Sequence, residues 1–422
     1  MSDREFDVVV FGATGVTGRR VARYLAERAD EVGRTWAAAG RDAAKVERVL
    51  AEEGVSAPEV IVADLGDPGS LAAMAQRANV VLHLAGPYTL NGRPVIEACV
   101  EAGAHYADLT GEIQFVRRVQ AQFDDPASDA GVKLVEVCGF EALPPDLAVQ
   151  LAAEAAAERW QEGLTAVDLE VSIVQMPTPP RPSDFISGGT FQSLATAAGD
   201  PDAAVITDPA CLVDDPGFAD QVRRLSPIKL APRRGATGAV LGPMTPAAFI
   251  NPAVIHRSAA LRAARAGSVE TPFAYREGAT MEGPGVTLPL RYAVAGMLSG
   301  TQAAVGRLAR ARPAVRERVS RLLTRALPSS GAGPAADRLE AWRWRMDIRA
   351  RTEGGNEVHV EIDADGQPGY LTTARMIGET GLMLAEPGAT PEGAGCLTPA
   401  AALGTAGIDR FDRAGLRFTR PG

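Results

Sequence analysis

From Phe6 to about Leu151 the chain alternates short apolar runs with amphipathic stretches, the pattern of a parallel sheet covered by helices on both faces. The runs are Phe6 to Phe11, Thr35 to Ala39, Val60 to Ala63, Val80 to Leu84, His105 to Leu109 and Lys133 to Cys138. Six such strands predict an α/β fold built on a doubly wound (Rossmann) parallel sheet. Strands buried on both faces read as unbroken hydrophobic runs, as Val8-Val9-Val10-Phe11 does. Helices are predicted at Val16 to Arg28, where Val16, Arg20, Val21, Tyr24 and Leu25 fall near one face, and at Pro94 to Glu101.

Beyond about Thr165 the pattern changes. Ala166 to Gln175 alternates like a half-buried strand and runs into Met176-Pro177-Thr178-Pro179-Pro180-Arg181-Pro182, which cannot be helix. Further on, Trp342, Trp344, Met346, Ile348 and Ala350 alternate strictly with Arg343, Arg345, Asp347, Arg349 and Arg351. After the turn Glu353-Gly354-Gly355-Asn356, Val358, Val360 and Ile362 alternate with His359, Glu361 and Asp363. This predicts an antiparallel hairpin with one buried face and arginine–carboxylate pairs on the other. In the tail, Thr398 is an N-cap candidate with a proline after it, followed by Leu403, Ile408 and Phe411. The expected division is a Rossmann domain at 1–160, an inserted mixed α+β substrate domain at 161–390, and a C-terminal helix at 391–422 that packs back on the first domain.

A chain of 422 residues exceeds one ordinary core, in keeping with two domains. Its 43 basic and 52 acidic residues give a net charge of −9, which argues against nucleic acid as a partner. Cys99, Cys138, Cys211 and Cys396 are widely spaced and the four histidines show no ligand pattern, so neither a metal site nor a disulfide framework is expected. Sparse cysteines and an acidic N-terminus that runs straight into a strand predict a cytoplasmic enzyme.

The chemistry enters after the first strand, at Gly12-Ala13-Thr14-Gly15-Val16-Thr17-Gly18. Glycines between a strand and a helix let the backbone approach a pyrophosphate, whose charge the helix N-terminus holds. Strand, glycine loop and helix in that order make the G-x-x-G-x-x-G spacing meaningful. At the end of the second strand, an acidic residue would suit the ribose hydroxyl of NAD and a cation the 2′-phosphate of NADP. Arg41 stands there, with Lys45 one turn on, so NADPH/NADP is the expected cofactor. Asp64, at the end of the third strand, is placed to meet the adenine; Gly86 and Pro87 follow the fourth strand, and Tyr88 is a candidate for the nicotinamide end.

Short-chain reductases share this glycine spacing but need a lysine four residues after the catalytic tyrosine. Only Lys45, Lys133 and Lys229 exist, and none follows a tyrosine at that spacing. That chemistry is excluded.

Leu84-Ala85-Gly86-Pro87-Tyr88, the stretch Ala102 to Glu112, and Cys138-Gly139-Phe140-Glu141-Ala142-Leu143-Pro144-Pro145-Asp146-Leu147 resemble the saccharopine dehydrogenase-like oxidoreductases. The bacterial branch with the trans-acting enoyl reductases of polyketide-lipid synthesis is the most similar. Ser187-Gly188-Gly189-Thr190, Leu371 to Leu384 and Leu397 to Gly404 extend the resemblance over both domains and the tail. Glu141-Ala142-Leu143-Pro144-Pro145 departs from the Asp, Ser and single proline expected of the family.

The resemblance implies an NADPH-dependent oxidoreductase, with hydride adding to the β-carbon of an unsaturated acyl or polyketide thioester. Catalytic candidates are Tyr88, Tyr106 and Asp108, with His105 as a further donor and Glu112 as a charged neighbour. A saccharopine-type C–N bond dehydrogenase or imine reductase, and a non-catalytic dinucleotide-binding lipid-associated protein, are the alternatives. A homodimer stays open.

Val286 to Val305 is greasy, but Pro289, Arg291 and Gln302 make it a poor bilayer span. Arg307, Arg310, Arg312, Arg316, Arg318, Arg321 and Arg325 follow. Segment 286–325 therefore reads in three ways. It lies on an anionic membrane, placing the enzyme peripherally at the inner face of the plasma membrane; it docks an acyl carrier of a polyketide synthase; or it covers the substrate domain. A lid hinged at Gly283-Pro284-Gly285 is a further reading.

Overall fold

The computed structural model describes residues 4–179, 181, 196–197, 199–265, 267–283, 286–326 and 336–421. Ser187-Gly188-Gly189-Thr190, the hinge residues Pro284 and Gly285, and the side chain of Arg325 lie outside the described residues.

The predicted parallel sheet is present. Its strands β1 (Phe6–Phe11), β2 (Trp36–Gly40), β3 (Val60–Val62), β4 (Ala78–His83), β5 (His105–Asp108) and β6 (Lys133–Val135) lie in the order β6-β5-β4-β1-β2-β3. The order reverses between β1 and β4, and the crevice beyond the carboxyl ends of these strands is where an open parallel sheet takes its ligand. Val8, Val9 and Val10 are fully buried, β1 pairing with β2 and β4 on its two sides. The helices α1 (Gly18–Arg28), α2 (Ala43–Glu52), α3 (Pro68–Gln76), α4 (Tyr88–Ala102), α5 (Ile113–Asp129) and α6 (Leu143–Trp160) follow β1 to β6 in turn. α4 starts six residues before Pro94 and carries that proline inside it.

α6 is buried on every side from Leu143 to Ala153, as a helix apolar all round must be. It lies against a second, mixed sheet, whose core is β7 (Leu164–Gln175). Beside β7 lie β10 (Ala274–Thr280), parallel, and β11 (Arg343–Thr352), antiparallel. β12 (Glu357–Asp365) closes the predicted hairpin with β11, pairing Met346 with Ile362. Trp344, Met346, Ile348, Val358, Val360 and Ile362 face the core, while Arg345 pairs with Asp363 and Arg351 with Glu357, each at 2.9 Å, on the other side. β8 (Arg233–Arg234) and β9 (Val240–Gly242) extend the sheet beyond β10.

The remaining helices are α7 (Pro216–Leu225), α8 (Asn251–Ala263), α9 (Leu288–Ala309), α10 (Pro313–Ala326), α11 (Ala336–Glu340), α12 (Thr373–Ala385) and α13 (Pro399–Leu403).

The structure adds two features to the expected division. The tail is not simply a returning helix: Gly404, at φ +63, ends α13 after five residues. Before it, β13 (Gly395–Leu397) adds a seventh strand parallel to β6, and after it β14 (Leu416–Phe418) pairs with β12, so the tail stitches both sheets. Second, α12 falls inside the expected 161–390 unit yet packs on α1, β1, β4 and β5. Gly378 permits this, because a Cβ there would stand 2.6 Å from the Tyr24 ring.

Candidate active site

A cleft of ≈ 910 Å³ opens at the carboxyl ends of the parallel strands. Gly12, Thr14, Gly15, Val16 and Thr17 form one wall, with Arg41, Lys45 and Asp64 at that end. Gly86 and Tyr88 line the middle. At the far end stand Leu109, Glu112, Glu141, Pro246, Ile250 and Thr373, while Tyr370 lines the cleft within electrostatic reach of Arg20 on α1. Gly18 and Pro87 do not line it: Gly18 begins α1, and Pro87 precedes α4 in an extended conformation.

The glycines separate by cause. Gly12 has φ +92 and a Cβ on it would stand 3.0 Å from the Leu84 carbonyl carbon; one on Gly18 would run into the Gly12 carbonyl oxygen. The fold itself demands both. A Cβ on Gly15 would meet nothing of the protein closer than 3.4 Å, so the bare backbone there faces an open cradle beside the start of α1. That cradle, with two exposed cations at the β2 end, fits a phosphorylated dinucleotide. Asp42, the one acid beside Arg41, is committed elsewhere: its carboxylate accepts from the Lys45 backbone N–H (3.0 Å) and caps α2. Asp64 is exposed and gives one oxygen to the Gly66 N–H at 2.7 Å.

The three catalytic candidates come together, but not at the cleft surface. Tyr88 shows its ring to the cleft while its hydroxyl points inward, donating to the His83 carbonyl (3.1 Å) and receiving the Leu109 N–H at 3.4 Å. Tyr106 and Asp108 are fully buried beneath, among helices that cover β5. The Tyr106 hydroxyl donates to Asp108 (2.8 Å) and lies 3.0 Å from His83 Nδ1. Burial holds His83 neutral, down at about 3, and raises the Asp108 carboxyl to about 7. The other Asp108 oxygen accepts from the Thr110 and Val137 N–H groups, at 3.0 and 3.2 Å. The strand-end positions lie beside the cleft, but side-chain direction turns their polar atoms into the sheet. His105 is at the opposite end of β5, where its ring accepts from the Lys133 N–H at 3.0 Å.

Glu112 has a clear structural task. Its two oxygens accept from the Tyr88 and Thr89 N–H groups, at 3.0 and 2.8 Å, fixing the start of α4 from a neighbouring loop.

Glu141, Tyr370 and Thr373 line the cleft without being expected there from the sequence. Glu141 lies in the loop between β6 and α6, in the stretch that departs from the family pattern. Tyr370 and Thr373 reach the cleft from more than 200 residues beyond β6, and nothing local signals that return.

Residues 8–135 match the family described as the saccharopine dehydrogenase NADP binding domain. A Mycobacterium tuberculosis protein provisionally named trans-acting enoyl reductase is 36% identical over 98% of this chain and 97% of its own. A Mycobacterium bovis protein named trans-acting enoyl reductase is 31% identical over the same shares. Among solved structures, apo saccharopine dehydrogenase (L-Glu forming) of Saccharomyces cerevisiae covers 98% of this chain and 99% of its own, at 12% identity and a TM-score of 0.48. The chain is an NADPH-dependent oxidoreductase and belongs to the saccharopine dehydrogenase-like family, in the branch of the trans-acting enoyl reductases.

Proposed function

We propose that the enzyme reduces the carbon–carbon double bond of an α,β-unsaturated acyl thioester carried by a polyketide synthase. The chemistry of the far end of the cleft supports this reading. Leu109, Pro246 and Ile250 line it, and among the described lining residues the cations Arg19, Arg41 and Lys45 all stand on α1, on α2 or at the α2 entry. A substrate with several carboxylates, as in saccharopine chemistry, needs convergent cations where the substrate binds. An acyl chain needs apolar walls. Bound NADPH supplies the hydride; the protein holds the dinucleotide on the Gly12–Gly18 loop and lines the far end with apolar side chains.

NADPH oxidation should be tested with a panel of enoyl thioesters against cyclic and acyclic imines. Turnover is expected with medium- and long-chain enoyl thioesters and not with imines. The reverse preference overturns the reading.

We further place the enzyme at an anionic lipid surface, on the strength of α9. Its inward stripe is Ala295, Gln302, Gly306 and Ala309, whereas Leu288, Leu290, Tyr292, Val294 and Met297 are exposed, Met297 at 65%. At 100° per residue these five positions fall on the side of the helix left open by that stripe and at its first turn. An apolar face exposed beside a run of cations is what an interfacial helix lays into an anionic lipid surface. Arg307, Arg310, Arg312, Arg318 and Arg321 are exposed close by. Arg316 does not join them: it is 6% exposed and donates to the Ala309 and Pro201 carbonyls, each at 3.1 Å. Among the described residues no helix is long and apolar enough to cross a membrane. The enzyme should float with phosphatidylglycerol vesicles and not with phosphatidylcholine ones, and Leu290→Glu with Met297→Glu should abolish flotation while sparing NADPH binding. Equal recovery with neither vesicle overturns this placement.

A further inference from the structure

We propose that Glu141 is the proton donor of the reduction, its carboxyl delivering the proton that the substrate takes up as hydride arrives. The inference rests on the reductase chemistry and not on the acyl nature of the substrate.

The geometry begins with the loop from β6 to α6. Val137 adopts φ 62, a left-handed conformation that a β-branched side chain strongly disfavours. Such outliers persist only when neighbours over-determine them, and they cluster at functional sites. Here the Val137 N–H donates to the Asp108 carboxylate, the Cys138 N–H to the Asp108 carbonyl (2.9 Å), and the Phe140 N–H to Thr373 Oγ1 at 3.0 Å. Three hydrogen bonds, to β5 and to α12, thus clamp the loop whose next residue, Glu141, lines the far end of the cleft. The Glu141 carboxyl folds back over Gly139, where a Cβ would come within 3.1 Å of it.

The neighbouring acids are occupied or sealed. Glu112 is spent on α4, and Asp108 and Glu136 are buried below. Glu141 is half-buried, in reach of both cleft and solvent. Burial raises its carboxyl above the ordinary range, against a smaller opposing pull from its own backbone N–H, and no neighbouring charge contributes. A carboxyl whose affinity for its proton is raised in this way, beside a substrate, is suited to proton delivery.

The balance closes. As a C–H bond forms with the incoming hydride, the substrate double bond breaks and its electron pair takes the Glu141 proton. The Glu141 O–H bond breaks, leaving a carboxylate that solvent reprotonates before the next turn. A bound NADP+ would carry a positive charge that NADPH lacks, so an ionised Glu141 beside it would favour the oxidised dinucleotide.

That coupling gives a test without substrate. The dissociation constants of NADP+ and NADPH are measured by fluorescence and calorimetry from pH 5 to 9, in the full chain and in Glu141→Gln. In their ratio the titration of the shared 2′-phosphate cancels. For the wild type, NADP+ should gain about tenfold over NADPH as pH rises through the Glu141 titration. Glu141→Gln should flatten the ratio. Asp108, Glu112, Glu136, Cys138 and Tyr370 face this region from β5, its following loop, the β6 loop and the turn before α12; all remain in the variant, so the flattening assigns the effect to Glu141. With a reducible substrate, Glu141→Gln should lower kcat about 10²- to 10⁴-fold and leave the NADPH dissociation constant within about twofold. An unchanged pH profile in Glu141→Gln, with the thermal midpoint preserved, overturns the proposal. A flattened ratio in an enzyme that reduces no enoyl thioester would keep Glu141 and discard the acyl substrate.

Discussion

Glu379→Ala is expected to lower unfolding stability by about 3 kcal/mol, because it removes a buried acid that pairs with two arginines. Glu379 is 0% exposed on α12, and its carboxylate accepts from Tyr24 Oη at 2.6 Å, Arg28 Nε at 3.3 Å and Arg410 Nε at 2.7 Å. One side chain thus ties α1, α12 and the tail. Burial and this carboxylate push the Tyr24 phenol above its ordinary value. Removing the acid leaves two guanidinium groups and a phenol facing a void. The loss stays at the lower end of the range for broken buried pairs, because Arg28 keeps Glu31 and Arg410 keeps Glu386. Glu379→Gln retains an acceptor for Tyr24 and should cost about half as much. Urea denaturation of both variants checks this, and a Glu379→Ala midpoint equal to that of the wild type would refute the buried-acid argument.

That network also marks how far the chain is legible without coordinates. Period-two and period-3.6 patterns belong to single elements, so β1 to β6, the Trp342-to-Asp363 hairpin and α1 are readable from local order alone. Glu379 is one of several polar positions in a helix that is buried along most of its length, and its three partners are 31 to 355 residues away. No periodicity encodes such a contact. The same holds for β13 and β14: three residues each are too few to alternate, and only pairing with β6 and β12 makes them strands.

At the site, the glycine loop and the β2 cation line the cleft at the offsets from a strand that backbone approach and phosphate charge impose. The catalytic candidates are set differently. Tyr88, Tyr106 and Asp108 do stand at the β4 and β5 ends, yet their polar atoms face His83, Leu109 and Val137. Which way a side chain points from a strand end depends on the helices above it, and Glu141 reaches the cleft because those buried groups pin its loop.

Arg41→Ala should weaken NADPH about 10- to 100-fold and leave NADH within about threefold. Gly40 ends β2, and a Cβ on it would stand 3.0 Å from Val46, so the chain turns tightly into α2 and leaves Arg41 exposed at the cleft rim. A charge-assisted bond to a phosphate is worth about 1.5 to 3 kcal/mol, and each 1.4 kcal/mol is tenfold in affinity. Lys45 lines the same end, but an ammonium on a flexible stem holds a phosphate less rigidly than a planar fork, so Lys45→Ala should cost only about threefold. Because Asp42 is bound to the α2 N-terminus, removing Arg41 does not uncover an acid for the ribose hydroxyl of NADH. Cofactor preference should therefore disappear rather than invert. Fluorescence titration of both dinucleotides reads the difference directly, and the NADPH loss should shrink as salt rises, since screening weakens the wild-type contact. Equal losses for the two cofactors would move the 2′-phosphate away from Arg41 and leave the NADP preference to another part of the cleft.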